Sequence, residues 1–111
     1  MNLIITCKNM NKTPAIEAMI EQKAKKLKKQ LGENIKVSWT CIIEPMAHIS
    51  EVEVTGFRGA PLFAKAEADD LYKTFDEVER KISKQAARYH DKKIDPSYEK
   101  LQFSEEGQYE Y

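Results

Sequence analysis

The segment from Asp69 to Lys93 constrains this chain most. Leu71, Phe75, Val78, Ile82, Ala86 and Tyr89 recur there at steps of three and four, the spacing that lines one face of an α-helix. Asp69 and Asp70 precede it as candidate N-caps, because a short carboxylate accepts an orphan backbone N–H. A helix with one apolar stripe must lay that stripe on another layer of structure. The rest of the chain has to supply the layer.

Four period-two segments do so. Leu3, Ile5 and Cys7 alternate with more polar positions, and Ile35, Val37, Trp39, Cys41 and Ile43 alternate with Lys36, Ser38, Thr40, Ile42 and Glu44; both patterns predict half-buried strands. His48 to Thr55 predicts a third strand after the Glu44-Pro45-Met46-Ala47 turn, and Leu62 to Ala68 a fourth after the turn from Gly56 to Pro61. Ala64, Ala66 and Ala68 are small enough to let a helix approach closely. Between the first two strands, Thr13 and Pro14 start a helix and Gly32 ends it. Ile16, Ile20, Leu27 and Leu31 form its stripe, with Met19 and Ala24 at the margins. The order β-α-β-β-β-α predicts an α+β fold: a four-stranded mixed sheet with both helices packed on one face. The first helix makes a right-handed crossover between parallel strands, and the other strands add as an antiparallel meander.

A chain of 111 residues fits one domain. We place it at residues 1–93 and read 94–111 as an acidic tail. That tail holds Pro96, and its Tyr98, Phe103, Tyr109 and Tyr111 follow no period, so disorder is the expectation. Cys7 and Cys41 stand far apart with no CxxC pair, which indicates neither a zinc site nor a disulfide framework. A reducing cytoplasm fits that usage. The apolar run at Leu3-Ile4-Ile5 is too short for a signal peptide or a spanning helix, and no membrane partner is expected. His48 and His90 lack a carboxylate or cysteine at catalytic or ligand spacing, and no glycine loop could cradle a phosphate. No enzyme activity, metal or cofactor is expected.

The net charge of zero conceals a partition. Residues 94–111 hold one basic side chain, Lys100, against Asp95, Glu99, Glu105, Glu106 and Glu110, a local charge of −4 that leaves +4 for residues 1–93. Lys23, Lys25, Lys26, Lys28 and Lys29 crowd the first helix; Arg80, Lys81, Lys84, Arg88, Lys92 and Lys93 crowd the second, where only Asp91 opposes them. At about 100° per residue, Lys81, Lys84, Arg88 and Lys92 line one flank of the second stripe, while Lys23 and Lys26 line a flank of the first. Placed together on one sheet, the two flanks would form a basic groove suited to the phosphates of structured RNA, whose narrow major groove excludes side chains. Arg88 could fork onto two phosphate oxygens. The plainer reading is a solvated lysine-rich surface. Exposed aromatic platforms of the single-strand readers are not evident, and DNA is not the expected partner.

Ile4-Ile5-Thr6-Cys7-Lys8-Asn9-Met10, Thr13-Pro14-Ala15-Ile16, Lys23-x-x-Lys26-Leu27 and Asp70-Leu71-Tyr72-x-x-x-Asp76, leading into Lys81-x-x-Lys84-Gln85-x-x-Arg88-x-x-Asp91-Lys92, together resemble the short ribosome hibernation-promoting factor and protein Y family. The resemblance covers about residues 1–93. It implies the β-α-β-β-β-α fold, related to double-stranded RNA-binding domains. It also implies binding to the small ribosomal subunit and the 70S ribosome at the A and P sites, excluding tRNA and mRNA under stress or in stationary phase. Lys23, Lys26, Lys81, Lys84, Arg88 and Lys92 are the rRNA contacts it implies; Gln85 matches the pattern but could equally be a surface residue. Phe103-Ser104-Glu105-Glu106 resembles the acidic tail of the protein Y members, a segment associated with opposing ribosome dimerisation. Off the ribosome a monomer is expected. The alternatives are a generic duplex-RNA binder and a protein-interaction module that modulates a transcription factor.

Overall fold

A computed structural model describes residues 1–94, with side chains through Arg88. The order is β1 (Asn2–Lys8), α1 (Pro14–Leu31), β2 (Lys36–Glu44), β3 (Ala47–Thr55), β4 (Leu62–Ala68) and α2 (Leu71–Ile94). The strands form one sheet in the order β1-β2-β3-β4. β1 runs parallel to β2, and the other two pairings are antiparallel. The fold expected from the periodicities is the one observed. The proposed tail lies outside the described residues.

Local chemistry sets the element ends. The Thr13 hydroxyl accepts the Ile16 N–H at 3.2 Å, and Pro14 occupies the first turn of α1. At the other end Gly32 adopts φ +111° and donates its N–H to Lys28 O at 2.8 Å, a backbone shape that disfavours any residue with a Cβ. Asp70 Oδ1 accepts the Tyr72 N–H at 3.0 Å and so caps α2.

The inner sheet face and both helices share one core. The register places Ile5 beside Trp39 and Trp39 beside Val52 beside Ala64, so this layer crosses all four strands. Trp39, Phe75, Ile20, Leu27, Ile82 and Val78 are fully buried around it. The Phe75 ring meets Trp39 edge-on with centroids 5.7 Å apart, the arrangement their quadrupoles favour. Ala64 and Ala66 are buried beneath α2; their lack of bulk lets that helix sit close to β3 and β4. Thr74 and Ser50 are buried too, with hydroxyl oxygens 2.6 Å apart. Thr74 donates to Leu71 O, so Ser50 is the donor in that pair and both polar groups are satisfied.

Candidate nucleic-acid interface

Two ion pairs fix how the helices lie. Lys23 Nζ is 2.5 Å from Asp76 Oδ1, and Lys26 Nζ is 3.9 Å from Glu79 Oε1. Each pair advances three residues along both helices, so α1 and α2 run in the same direction, side by side. Their N-termini share one end of the layer and their C-terminal halves share the other. Lys28 and Lys29 therefore stand level with Lys81 and Ile82, with Lys84 a turn further on.

This arrangement alters the expected groove. Lys23 and Lys26 face α2 across the seam, but the carboxylates of Asp76 and Glu79 meet them there. Lys23 is largely enclosed, its side chain 14% exposed, whereas that of Lys26 keeps 63%. A hydrogen bond from Lys23 holds the Asp76 carboxyl below the usual carboxylate range; burial opposes it, and the charges of Lys23, Lys26 and Arg80 add to it. The cations of α2 lie on its other flank, over the β4 edge. Lys81 donates to Lys65 O at 2.8 Å and is otherwise exposed; Lys84 is exposed and engages other groups of the chain. Thus the structure does not gather the basic residues of both helices into one groove. Arg80, Lys25 and Lys29 are exposed, while Lys28 is half-buried and lies 4.0 Å from Glu33 Oε1.

Arg88 differs from its sequence reading. It is only 5% exposed and already has an interaction within the chain, so its guanidinium does not stand out as a free fork. Lys92 belongs to α2, but its side chain lies outside the described residues. Gln85 is not a surface residue. At 8% exposure it donates Nε2 to Phe63 O at 2.8 Å and accepts the Phe63 N–H through Oε1 at 3.4 Å. The amide thereby stands in for a fifth strand along the edge of β4.

Asp76, Glu79 and Gln85 are the residues that the charge pattern alone does not reveal. Their signal is positional: Asp76 and Glu79 flank the stripe opposite to Lys81, and Gln85 falls one turn after Ile82 on the buried side. His48 is half-buried with its Nδ1 screened from solvent. On the open sheet face Phe63 is the exposed aromatic, at 39%. Among the described residues no group of three or more His, Cys, Asp or Glu could hold a metal ion.

A mixed four-stranded sheet roofed by two parallel helices is a fold shared with solved proteins. The chain belongs to the Sigma 54 modulation protein / S30EA ribosomal protein family, whose profile matches residues 3–94. It is 34% identical over 95 residues to the ribosome-associated factor Y of Haemophilus influenzae, covering 83% of this chain and 85% of that protein. It is 29% identical over 92 residues to the ribosome hibernation promoting factor of Salmonella typhimurium, covering 83% of this chain and 96% of that one. The fold matches a ribosomal subunit interface protein from Coxiella burnetii with a TM-score of 0.72 at 23% identity, covering 82% of this chain and 99% of that one. It also matches the Protein Y N-terminal domain of Thermus thermophilus with a TM-score of 0.73 at 21% identity, covering 80% and 99% respectively.

Proposed function

We propose that this chain is a ribosome-associated hibernation factor. In this reading it binds the rRNA of the small subunit in the channel at the A and P sites, excludes tRNA and mRNA, and holds idle ribosomes silent under stress or in stationary phase. The observation that carries the reading is the set of exposed cations Arg80, Lys81 and Lys84 on α2, in a chain whose relatives are ribosome-associated factors. Phosphates are met by positive charge held at fixed spacing, and two parallel helices supply such spacing. Lys81 and Lys84 are the primary contacts, and Lys92 joins them in this reading from its place in the sequence. Lys26 adds a partly compensated charge from the seam. Lys23 and Arg88 support the surface from inside, and Arg88 reaches a phosphate only by exchanging its present contact. The protein acts by occupancy, without catalysis, in the cytoplasm where ribosomes work.

Reversing Lys81 and Lys84 to Glu tests the assignment. The double variant should lose cosedimentation with small subunits while keeping the parent's circular dichroism spectrum, its thermal midpoint falling only slightly through loss of the Lys81 bond to Lys65 O; full retention of binding removes this face from the interface. Four to six phosphate contacts give a log–log salt dependence with slope of about −3 to −5. A second reading, a protein-interaction module acting on a transcription factor, draws on the family's description as Sigma 54 modulation proteins. Nuclease treatment separates the two, since it abolishes capture through rRNA and leaves capture of a protein intact.

A further inference from the structure

The two edges of the sheet are finished differently. At β4 the outward carbonyls of Phe63 and Lys65 accept from Gln85 and Lys81, and the Phe63 N–H is taken by Gln85. That edge is closed by side chains of α2. At β1 the Asn2 N–H donates to Ile35 O at 2.9 Å. Backbone groups of successive strand residues point to opposite sides, so Asn2, Ile4, Thr6 and Lys8 address β2, and Leu3, Ile5 and Cys7 turn their N–H and C=O outward. Such an edge is a template for another strand.

Beside it runs a groove of about 260 Å³ lined by Leu3, Ile5, Lys12, Glu17 and Glu21. Its floor is apolar and its helix wall is acidic. Lys12 offsets Glu17 only through an exposed pair at 3.5 Å, and Glu21 joins none of the ion pairs found among the described residues. We propose that the β1 edge and this groove bind an extended, Lys/Arg-bearing segment of a partner protein as a fifth strand. Main-chain bonds form to Leu3, Ile5 and Cys7, as in other strand additions. Alternate side chains of the added strand point toward the helix layer, where basic ones lay their stems over Leu3 and Ile5 and bring their charges to Glu17 and Glu21. Basic extended arms of this kind are common on proteins that themselves bind nucleic acid.

Charge selects this occupant over two others. Residues 95–111 of the chain carry a net −4 and would meet Glu17 and Glu21 with like charge. A second copy paired through β1 about a two-fold axis near Ile5 would bring the Glu17 and Glu21 of both molecules together. The proposal is independent of which rRNA the cations of α2 contact, because the groove lies on the far side of α1 from the seam; the rRNA reading and this one can fail separately.

The test uses the full-length protein, labelled with ¹⁵N, and an end-capped peptide of about eight residues alternating Lys and Val, a typical strand length. Saturating peptide should slow amide exchange of Leu3, Ile5 and Cys7 roughly tenfold or more, and Glu17→Lys with Glu21→Lys should weaken binding by about tenfold. N-methylation of the peptide's edge-facing amides should abolish the protection. Equal binding of an alternating Glu and Val peptide overturns the proposal. So does protection of these amides before any peptide is added: protection that rises with protein concentration identifies a second copy as occupant, and protection independent of it identifies the chain's own remaining segment.

Discussion

Cys41 lies fully buried on β2, in register with Cys7 on β1. Burial first, and the neighbouring Cys7 thiol second, push its pKa up to about 12. Near pH 8 only about one molecule in ten thousand would then hold a Cys41 thiolate, and the thiolate is the reactive form. Iodoacetamide should therefore leave Cys41 unmodified in the folded protein and label it once guanidinium unfolds the chain. Peptide mass spectrometry reads this directly; rapid labelling of Cys41 in the native state would contradict its placement. Among the charged residues the same dependence on surroundings holds. Lys26 and Lys81 look alike in sequence, yet one faces the carboxylate of Glu79 and the other donates to a backbone carbonyl of β4. Arg88, read as a phosphate fork, is instead enclosed.

At the scale of elements, the turn after β3 carries a sharp requirement. Gly56 has φ +88°, and a Cβ there would sit 2.7 Å from Asn34 O and 3.2 Å from the Ile35 Cα. Gly56→Ala should destabilise the domain by about 1–3 kcal/mol through strain and the forced separation of this turn from the start of β2. A lower urea midpoint with unchanged slope is the expected result; an unchanged midpoint would mean the turn relaxes freely. The elements themselves were legible because each carries its own period and its own end signal. Thr13-Pro14 and Gly32 bound α1, and alternation at Ile35 to Ile43 marks β2. The flank on which each helix meets its neighbour was not legible. That depends on the parallel packing of α1 and α2, which places Asp76 and Glu79 in the seam and sends Lys81 to the sheet edge. Gln85 was hidden for a related reason: a polar side chain on a buried stripe has meaning only beside the strand edge that it completes.

For the whole molecule, the seam links stability to pH. The folded-state pKa of Asp76 lies below its unfolded value because Lys23 stabilises the carboxylate. Its contribution is thus complete above the ordinary carboxylate range, near pH 4, and is lost as pH falls through the lowered folded value. The Asp76 side chain is 66% exposed, so solvent screening holds the effect to less than about 1 kcal/mol. Asp76→Asn should be slightly less stable than the parent at pH 6, the gap closing in strong acid and in molar salt; thermal midpoints across that range would show it. A gap that widens on acidification would reverse the assigned sign.

Glu17 lies in the first turn of α1 and Lys28 and Lys29 in its last, and Asp69 and Asp70 precede α2, whose Lys81 and Lys84 lie further along it. The peptide dipoles of the two parallel helices sum with partial positive charge where both begin, so carboxylates at that end and lysines further along sit where the dipole favours them. The side-chain charges and the peptide dipoles thus oppose one another, and the helical layer is left with a weaker field along its axis than either would produce alone.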